Sequence, residues 1–496
     1  MADGRRLMMD REQTGVETMR QLASCTVALT LTLAVSVSAQ VLRTVEDEVV
    51  AGDEAARQVE QQMGLYRAET TEEYVREIGE RLVSGLGPSP YTFTFQVVDQ
   101  SVPNAFALPG GHIYVSRGLV MLANSEDEIA GVLGHEISHV TQRHSARQSR
   151  RAILPTLLAV PGAVVGGVVS EDLGTLMNAP IMAVGKVSLS RYGRGQEREA
   201  DELGMALAAR SGYEPRALAV ILTQLERDVA ALTGETRKAS FFDSHPTTPK
   251  RVQGIDKGAA KIQRNPQPAL AADQADFLGR LDGLHSGDNP AQGLFRDQQF
   301  LHPDLNFTIT FPDSWKTVNN PSVVGAVAPG KEALAALGVV GEAEDPTELG
   351  RAFVAKLAEK YRTTPTEARA VEVGKWPGYL VTLTEGSGRS AANLHYLWVT
   401  IGDVTFQLIA AGPETARPTL REIALSLRPL TPQERASITA KRLRIVTADD
   451  DETLATLGPR AANVWSESYT ALVNNLPAGK PLDDGLLIKI AREEAH

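Results

Sequence analysis

The chain has 496 residues, 43% of them hydrophobic and 22% charged, a length that implies more than one compact core in an otherwise ordinary globular composition. Its formal net charge of -11 comes with no dense basic stripe, which argues against a nucleic-acid partner. The single cysteine, Cys25, excludes an intrachain disulfide and any metal site built on cysteine thiolates.

Residues 22–39 form an uncharged apolar run that follows Arg20 and closes on Val37-Ser38-Ala39. The run predicts a cleaved secretory signal over residues 1–39, and so a periplasmic or otherwise exported protein. The first eighteen residues are charged and unlike the start of such a signal, so Met19 is an alternative beginning. Leu22-Ala23-Ser24-Cys25 looks like a lipobox but precedes the apolar run, which leaves a lipoprotein or a membrane-associated protein as lesser alternatives. Residues 44–86 read as helical from apolar stripes at Val45, Val49, Ala56 and Val59, then Tyr74, Ile78 and Leu82. Residues 91–99 alternate as a strand. Two extended pieces within residues 103–115 are joined by Pro109-Gly110-Gly111, the chemistry of a hairpin turn. Its first piece, Asn104, Ala105, Phe106 and Ala107, is the candidate edge strand to which an extended substrate would add through backbone hydrogen bonds. His112 in the second piece reads as a packed or capping histidine.

The metal helix is expected within residues 119–145. Ser125 and Glu128 have capping-box spacing, and Ile129, Val132, Leu133 and Ile137 supply a buried face. Inside it, His135-Glu136-Ile137-Ser138-His139 is an H-E-x-x-H sequence: histidines four apart share a helix face and reach one metal ion. Glu136 leans to the side, where a carboxylate polarises a metal-bound water, so the pattern is that of a zinc peptidase. His144, five residues past His139, reads as surface. Residues 153–169 are apolar but broken by Pro155 and Pro161, too poor for a membrane span, and residues 153–190 are expected to control access to the metal as a flap or cleft-covering segment. Some sixty residues after the first motif, Glu197 and Asp201 are again four apart, so one can ligate while the other orients a ligand histidine.

The hairpin at 104–115, His135 to His139, the run Tyr192-Gly193-Arg194-Gly195-Gln196-Glu197-Arg198-Glu199-Ala200-Asp201, and Ser244-His245-Pro246 with Arg251 occur in the order seen in the gluzincin family of the CAAX prenyl protease, HtpX and BepA. The sequence most resembles the soluble periplasmic BepA-like branch, over residues 45–262. That resemblance implies one Zn2+ per chain held by His135, His139 and Glu197, Glu136 as catalytic base, and Asp201 behind the ligands, with Glu199 facing elsewhere. It further implies that His245, with Arg251 nearby, either latches onto the zinc or stabilises the transition state. The implied activity is metalloendopeptidase cleavage of misfolded or unassembled envelope proteins. The implied partners are polypeptide substrates and outer-membrane assembly machinery; the rival reading is a chaperone or assembly factor in which proteolysis is secondary.

Beyond residue 264 an Ala/Asp/Gly-rich stretch at 265–293 reads as a linker. Residues 294–429 carry expected strands at 305–311, 378–384 and 396–410 and helices at 349–361 and 418–427, a small α+β domain whose opening resembles PsbP-like domains. Residues 430–496 read as strand, helix, helix, strand and resemble a degenerate LysM module, which would make peptidoglycan a further partner. The expected fold class is therefore α+β and multidomain: a mainly helical zinc metallopeptidase domain at 40–264 with a small edge-strand sheet, then the α+β domain, then the short βααβ module.

Overall fold

The computed structural model describes residues 44–151, 191–231, 241–246, 249–385 and 391–496. The expected signal at 1–39 and the expected flap at 153–190 lie outside them. The fold is α+β and divides into two compact units: residues 44–151, 191–289 and 439–496 belong to one, residues 290–438 to the other.

The first unit opens with α1 (Val45–Met63), started by a reciprocal cap in which Thr44 Oγ1 accepts the Asp47 N–H at 3.1 Å and Asp47 Oδ2 accepts the Thr44 N–H at 2.9 Å. Helix α2 (Glu69–Leu86) buries Tyr74, Val75, Ile78 and Leu82 completely, the stripe its spacing dictates. Next come β1 (Thr94–Val98), β2 (Ala105–Ala107) and β3 (His112–Ser116). Strand β3 is central, parallel to β1 and antiparallel to β2, which leaves β2 at the edge. The β2–β3 turn depends on Gly110 and Gly111, at φ 85° and 110°; a Cβ on Gly111 would sit 2.4 Å from the Thr92 carbonyl oxygen. His112 is packed, as expected, with Nε2 2.9 Å from Asp53 and Nδ1 3.1 Å from Thr94.

Helices α3 (Arg117–Leu122), α4 (Glu126–Thr141) and α5 (His144–Arg151) follow, then α6 (Arg194–Arg210), α7 (Ala217–Ala231), α8 (Phe241–Ser244) and α9 (Pro249–Ala259). Helix α4 is the axis of the unit: residues 128–140 are all buried, with α2, α6 and α7 packed around them. Its Ser125 cap accepts the Glu128 N–H at 3.3 Å, but the Glu128 carboxylate turns to the Asn124 N–H at 2.9 Å, so the expected reciprocal box is only half made.

Residues 265–293 are not an extended linker in the structure. They carry α10 (Gln274–Gly279), and Phe277, Leu278, Leu281 and Leu284 enter the same apolar core as α2 and α4. The Glu126 carboxylate accepts the N–H groups of Leu270 and Ala271, at 3.1 and 2.8 Å. An Ala/Asp/Gly-rich average concealed this short apolar stripe.

In the second unit, β4 (Leu294–Arg296), β5 (Gln299–His302) and β6 (Phe307–Thr310) make a small antiparallel sheet. The strands β7 (Lys316–Asn320), β8 (Val323–Val327), β9 (Leu334–Glu342), β10 (Glu367–Val373), β11 (Trp376–Glu385), β12 (Ala392–Ile401) and β13 (Val404–Pro413) form a seven-stranded sheet in the order β10-β11-β12-β13-β9-β8-β7. Helix α11 (Pro346–Tyr361) packs its Phe353 on Tyr396 and Trp398, while α12 (Arg417–Ser426) joins a separate core with Phe307 and Phe406. The single strand expected at 396–410 is a hairpin: Ile401 pairs with Val404 across a two-residue turn in which Gly402 has φ 61°.

The chain then returns to the first unit with β14 (Thr439–Thr447), α13 (Leu454–Arg460), α14 (Glu467–Val473) and β15 (Leu487–Ala495). The strand, helix, helix, strand order is as expected, and the second helix ends at Val473, before Asn475 at φ 52°. This segment is part of the first unit's packing: Leu443 and Val473 enter the core around α4. The fully buried Lys489 donates from Nζ to the carbonyls of Met121, Leu122 and Ala123 at 2.9, 3.2 and 2.8 Å, at the negative end of α3. Burial presses the Lys489 ammonium down and Glu128 up, and their opposite charges offset part of that cost. Lys489→Met should therefore destabilise the protein by about 3 kcal/mol or more, and adding Glu128→Gln should recover part of it. Urea or thermal unfolding of the two variants checks this; an unchanged midpoint in the single variant would contradict it.

Candidate metal centre

The site begins with two glycines. Gly134 on α4 and Gly204 on α6 let the helices meet backbone to backbone: a Cβ on Gly204 would stand 2.8 Å from the His135 nitrogen, and one on Gly134 3.1 Å from the Gly204 oxygen. At that separation the side chains of α6 reach those of α4. His139 Nε2 lies 2.9 Å from His135 Nε2 and 3.4 Å from Glu197 Oε1, while His135 Nε2 lies 3.7 Å from Glu197 Oε2. His245, just past α8, completes the group with Nδ1 3.2 Å from Glu197 Oε1 and 3.3 Å from His135 Nε2. One donor atom from each of His135, His139, Glu197 and His245 lies within 4.8 Å of all the others, and all four residues are buried.

Around the donors stands a holding layer. Asp201 Oδ1 is 3.0 Å from His135 Nδ1. Arg251 grips Asp201 with two bonds, at 2.8 and 2.7 Å, and reaches Glu197 Oε2 at 2.6 Å. Tyr192 stacks on His139 with centroids 3.8 Å apart, and Phe241 stacks on His245 at 4.3 Å. Glu136 is fully buried, and neither of its carboxylate oxygens has a hydrogen-bond partner among the described residues; Oε1 is 3.4 Å from His245 Nε2. The edge strand is close by, since Ala107, His139 and Tyr192 line one recess.

Burial raises the Glu136 carboxyl above its ordinary range, against the pull of His245 and His135. Burial also works to raise Glu197, but His245 and His139 outweigh it and hold that carboxyl low. For Asp201 the Arg251 and His135 contacts likewise overcome burial and lower it. His139 is pushed well down by burial and stays a neutral imidazole, the form that ligates metals. His245 is raised despite its burial because Glu136 and Glu197 converge on it.

These residues fit a zinc ion. With the Asp201 carboxylate 3.0 Å from His135 Nδ1, a proton on that nitrogen is favoured, which leaves the Nε2 lone pair facing inward. Two imidazole nitrogens 2.9 Å apart cannot both carry protons, and three imidazoles with a carboxylate are a donor set suited to Zn2+.

A sequence profile described as "Peptidase family M48" matches residues 69–259. This part of the chain is similar to peptidase family M48. Among known relatives, the beta-barrel assembly-enhancing protease of Yersinia pestis is 28% identical over 261 residues, covering 51% of this chain and 52% of that protein. The beta-barrel assembly-enhancing protease of Escherichia coli (strain K12) is 30% identical over 238 residues, 47% of each. The mitochondrial metalloendopeptidase OMA1 of Schizosaccharomyces pombe is 29% identical over 191 residues, 38% of this chain and 53% of that one. The chain thus spans about half the length of these relatives.

Every residue singled out from the M48 segment for ligation or its support falls in this cluster, whereas Asn104, Ala105, Phe106 and Ala107 lie along the adjoining sheet edge. Glu199 faces away, toward Arg147 at 3.0 Å. His144 corrects the reading from spacing: it is fully buried, 2.8 Å from His139, not at the surface. Spacing misplaced it because α4 stops at Thr141 and Arg143 takes φ 54°, turning the chain back before α5. Phe241 carried no signal beyond its apolar character and Tyr192 only its place at the start of the run to Asp201, but Gly134 and Gly204, each inside a helical run, are the pattern of a close crossing.

Gly204→Val should force α4 and α6 apart, costing about 1–3 kcal/mol and lowering bound zinc. Thermal unfolding with metal analysis tests this, and full zinc content at the wild-type midpoint would contradict it.

Proposed function

We propose that the chain is a zinc-dependent endopeptidase that cleaves misfolded or unassembled envelope proteins. The supporting observation is the buried set His135, His139, Glu197 and His245, with the carboxylate of Glu136 beside it and both oxygens without a hydrogen-bond partner among the described residues. His135, His139 and Glu197 would hold one zinc ion per chain, which when bound supplies Lewis acidity toward a peptide carbonyl and toward water. Glu136, kept basic enough by its burial, takes the proton of the attacking water and returns it to the leaving amine. Asp201 fixes the His135 ring, and Arg251 holds Asp201 and Glu197 in place; with its guanidinium turned on both carboxylates, we read Arg251 as a support, not as a latch or transition-state stabiliser. The substrate adds as a further strand on β2, the outer strand of its sheet among the described residues, beside Asn104, Ala105, Phe106 and Ala107, where backbone bonding imposes little sequence preference.

His245 is the reason to read the described arrangement as latent. Four protein donors are the mark of a closed site, whereas catalysis needs one position for water or substrate. Withdrawal of His245 with the short helix α8 that carries Phe241 would open it.

The names of the relatives direct the biological reading toward outer-membrane β-barrel assembly, with polypeptide substrates and the assembly machinery as partners. The apolar run at 22–39 supports export to the periplasm; among the described residues no helix is long and apolar enough to cross a membrane. The 290–438 unit is proposed as a partner-binding module, and the βααβ segment, if LysM-like in function, would bind peptidoglycan and pellet with sacculi. The alternative, a chaperone in which cleavage is secondary, is favoured by this second unit, which contains no proposed catalytic group.

Glu136→Gln should retain zinc and lose casein hydrolysis by about 10²–10⁴-fold. Persistent hydrolysis in that variant would sink the assignment of the base, and its full complementation of a deletion strain would favour the chaperone. His245→Ala should instead raise basal hydrolysis of an unfolded substrate; an unchanged rate removes the latch, and an abolished rate makes His245 a transition-state stabiliser.

A further inference from the structure

The two helix histidines need the same service from their surroundings: something must accept the Nδ1–H so that the Nε2 lone pair faces the donor set. For His135 the carboxylate of Asp201 stands at Nδ1, 3.0 Å away. For His139 the partner at Nδ1 among the described residues is not a carboxylate but His144, whose own Nδ1 is 2.8 Å away. On its far side His144 Nε2 meets Glu199 Oε2 at 3.1 Å, and Arg147 holds that same oxygen at 3.0 Å. The His144 carbonyl also accepts Gln196 Nε2–H at 3.1 Å, so both ends of the residue are tied to α6.

We propose that His144 is a positioning residue for the metal centre, fixing the tautomer and orientation of His139 through a relay that ends on Glu199. The direction of the relay follows from donor chemistry. A carboxylate only accepts, so the His144 proton facing Glu199 sits on Nε2 and leaves Nδ1 as an acceptor. That acceptor requires the proton of His139 on Nδ1, which leaves the His139 Nε2 lone pair pointing at His135, Glu197 and His245. Glu199 and Asp201 therefore serve the two ligand histidines in parallel: Asp201 faces His135 directly, and Glu199, two residues away on another side of α6, needs His144 to span the gap. Because His144 begins α5, it couples the His139 ring to the placement of that helix.

This inference rests on the metal-site reading above, and the experiment separates the two. Zinc affinity of the purified protein is measured by competition with a chromogenic chelator for wild type, His144→Phe and His144→Asn. Imidazole ¹⁵N shifts of His139 are recorded alongside to read its tautomer. The Phe ring keeps the shape without an acceptor and should weaken zinc about 10–100-fold while His139 loses its pure Nδ1–H tautomer; the Asn Oδ1 restores an acceptor and should return affinity to within about threefold of wild type. Equal affinity in wild type and His144→Phe, or no recovery in His144→Asn, overturns the proposal while leaving the metal site standing. Absence of zinc binding in wild type overturns both. Should His144→Phe fail to fold, Glu199→Ala decides, since that side chain is partly exposed: weaker zinc at an unchanged thermal midpoint supports the relay, and unchanged zinc refutes it.

Discussion

The structure depends on an electrostatic imbalance enclosed at a helix crossing. Where α4 and α6 touch through Gly134 and Gly204, the buried carboxylates Glu136, Glu197 and Asp201 face one guanidinium, that of Arg251. Once His245 gives up the proton that Glu136 and Glu197 favour, as ligation requires, three negative groups against one positive leave two uncompensated charges in a region of low dielectric, where isolated ions cost several kcal/mol each. A divalent cation restores neutrality, and the crossing distance keeps the donors near enough to share it. The same imbalance accounts for the opposed behaviour of the acids: Glu197 and Asp201, each beside cationic or proton-bearing groups, are held low, and Glu136, without a hydrogen bond, is left high.

Much of this was legible because it is periodic. Two residues four apart on each of two helices encode the faces carrying His135, His139, Glu197 and Asp201, and the period survives whatever the rest of the chain does. His144 was not legible by that route. Its placement follows from a left-handed residue, Arg143, in a stretch without glycine or proline, held there by Glu48 from a helix ninety-five residues earlier. Such a break is a tertiary effect that local propensity does not announce.

Domain membership failed to follow composition for a related reason. Residues 265–293 look like a linker when averaged, yet Phe277, Leu278, Leu281 and Leu284 form a stripe that needs a partner surface and finds it beside α2. The C-terminal segment reads as a separate module after the second unit, but Lys489 lies among the last carbonyls of α3 and cannot leave without exposing them unpaired in the core. Local composition reports what a segment is made of, and these long-range bonds decide where it belongs.

The contacts at the two ends of α4 bear on how the proposed metal centre would open. Just before α4, Lys489 of the C-terminal strand holds the carbonyls of Met121, Leu122 and Ala123; just past its end, Glu48 takes Arg143 at 2.6 Å and the Tyr91 hydroxyl at 2.9 Å. A helix held at both ends, buried from residue 128 to 140 and locked to α6 by glycine contact has little freedom to move its histidines. His245 is attached differently: it follows a four-residue helix and rests chiefly on the Phe241 ring and the acids it faces. Of the four donors it is the one attached to the shortest helix, so the opening proposed for His245 would fall to α8 and not to the helix that carries H-E-x-x-H.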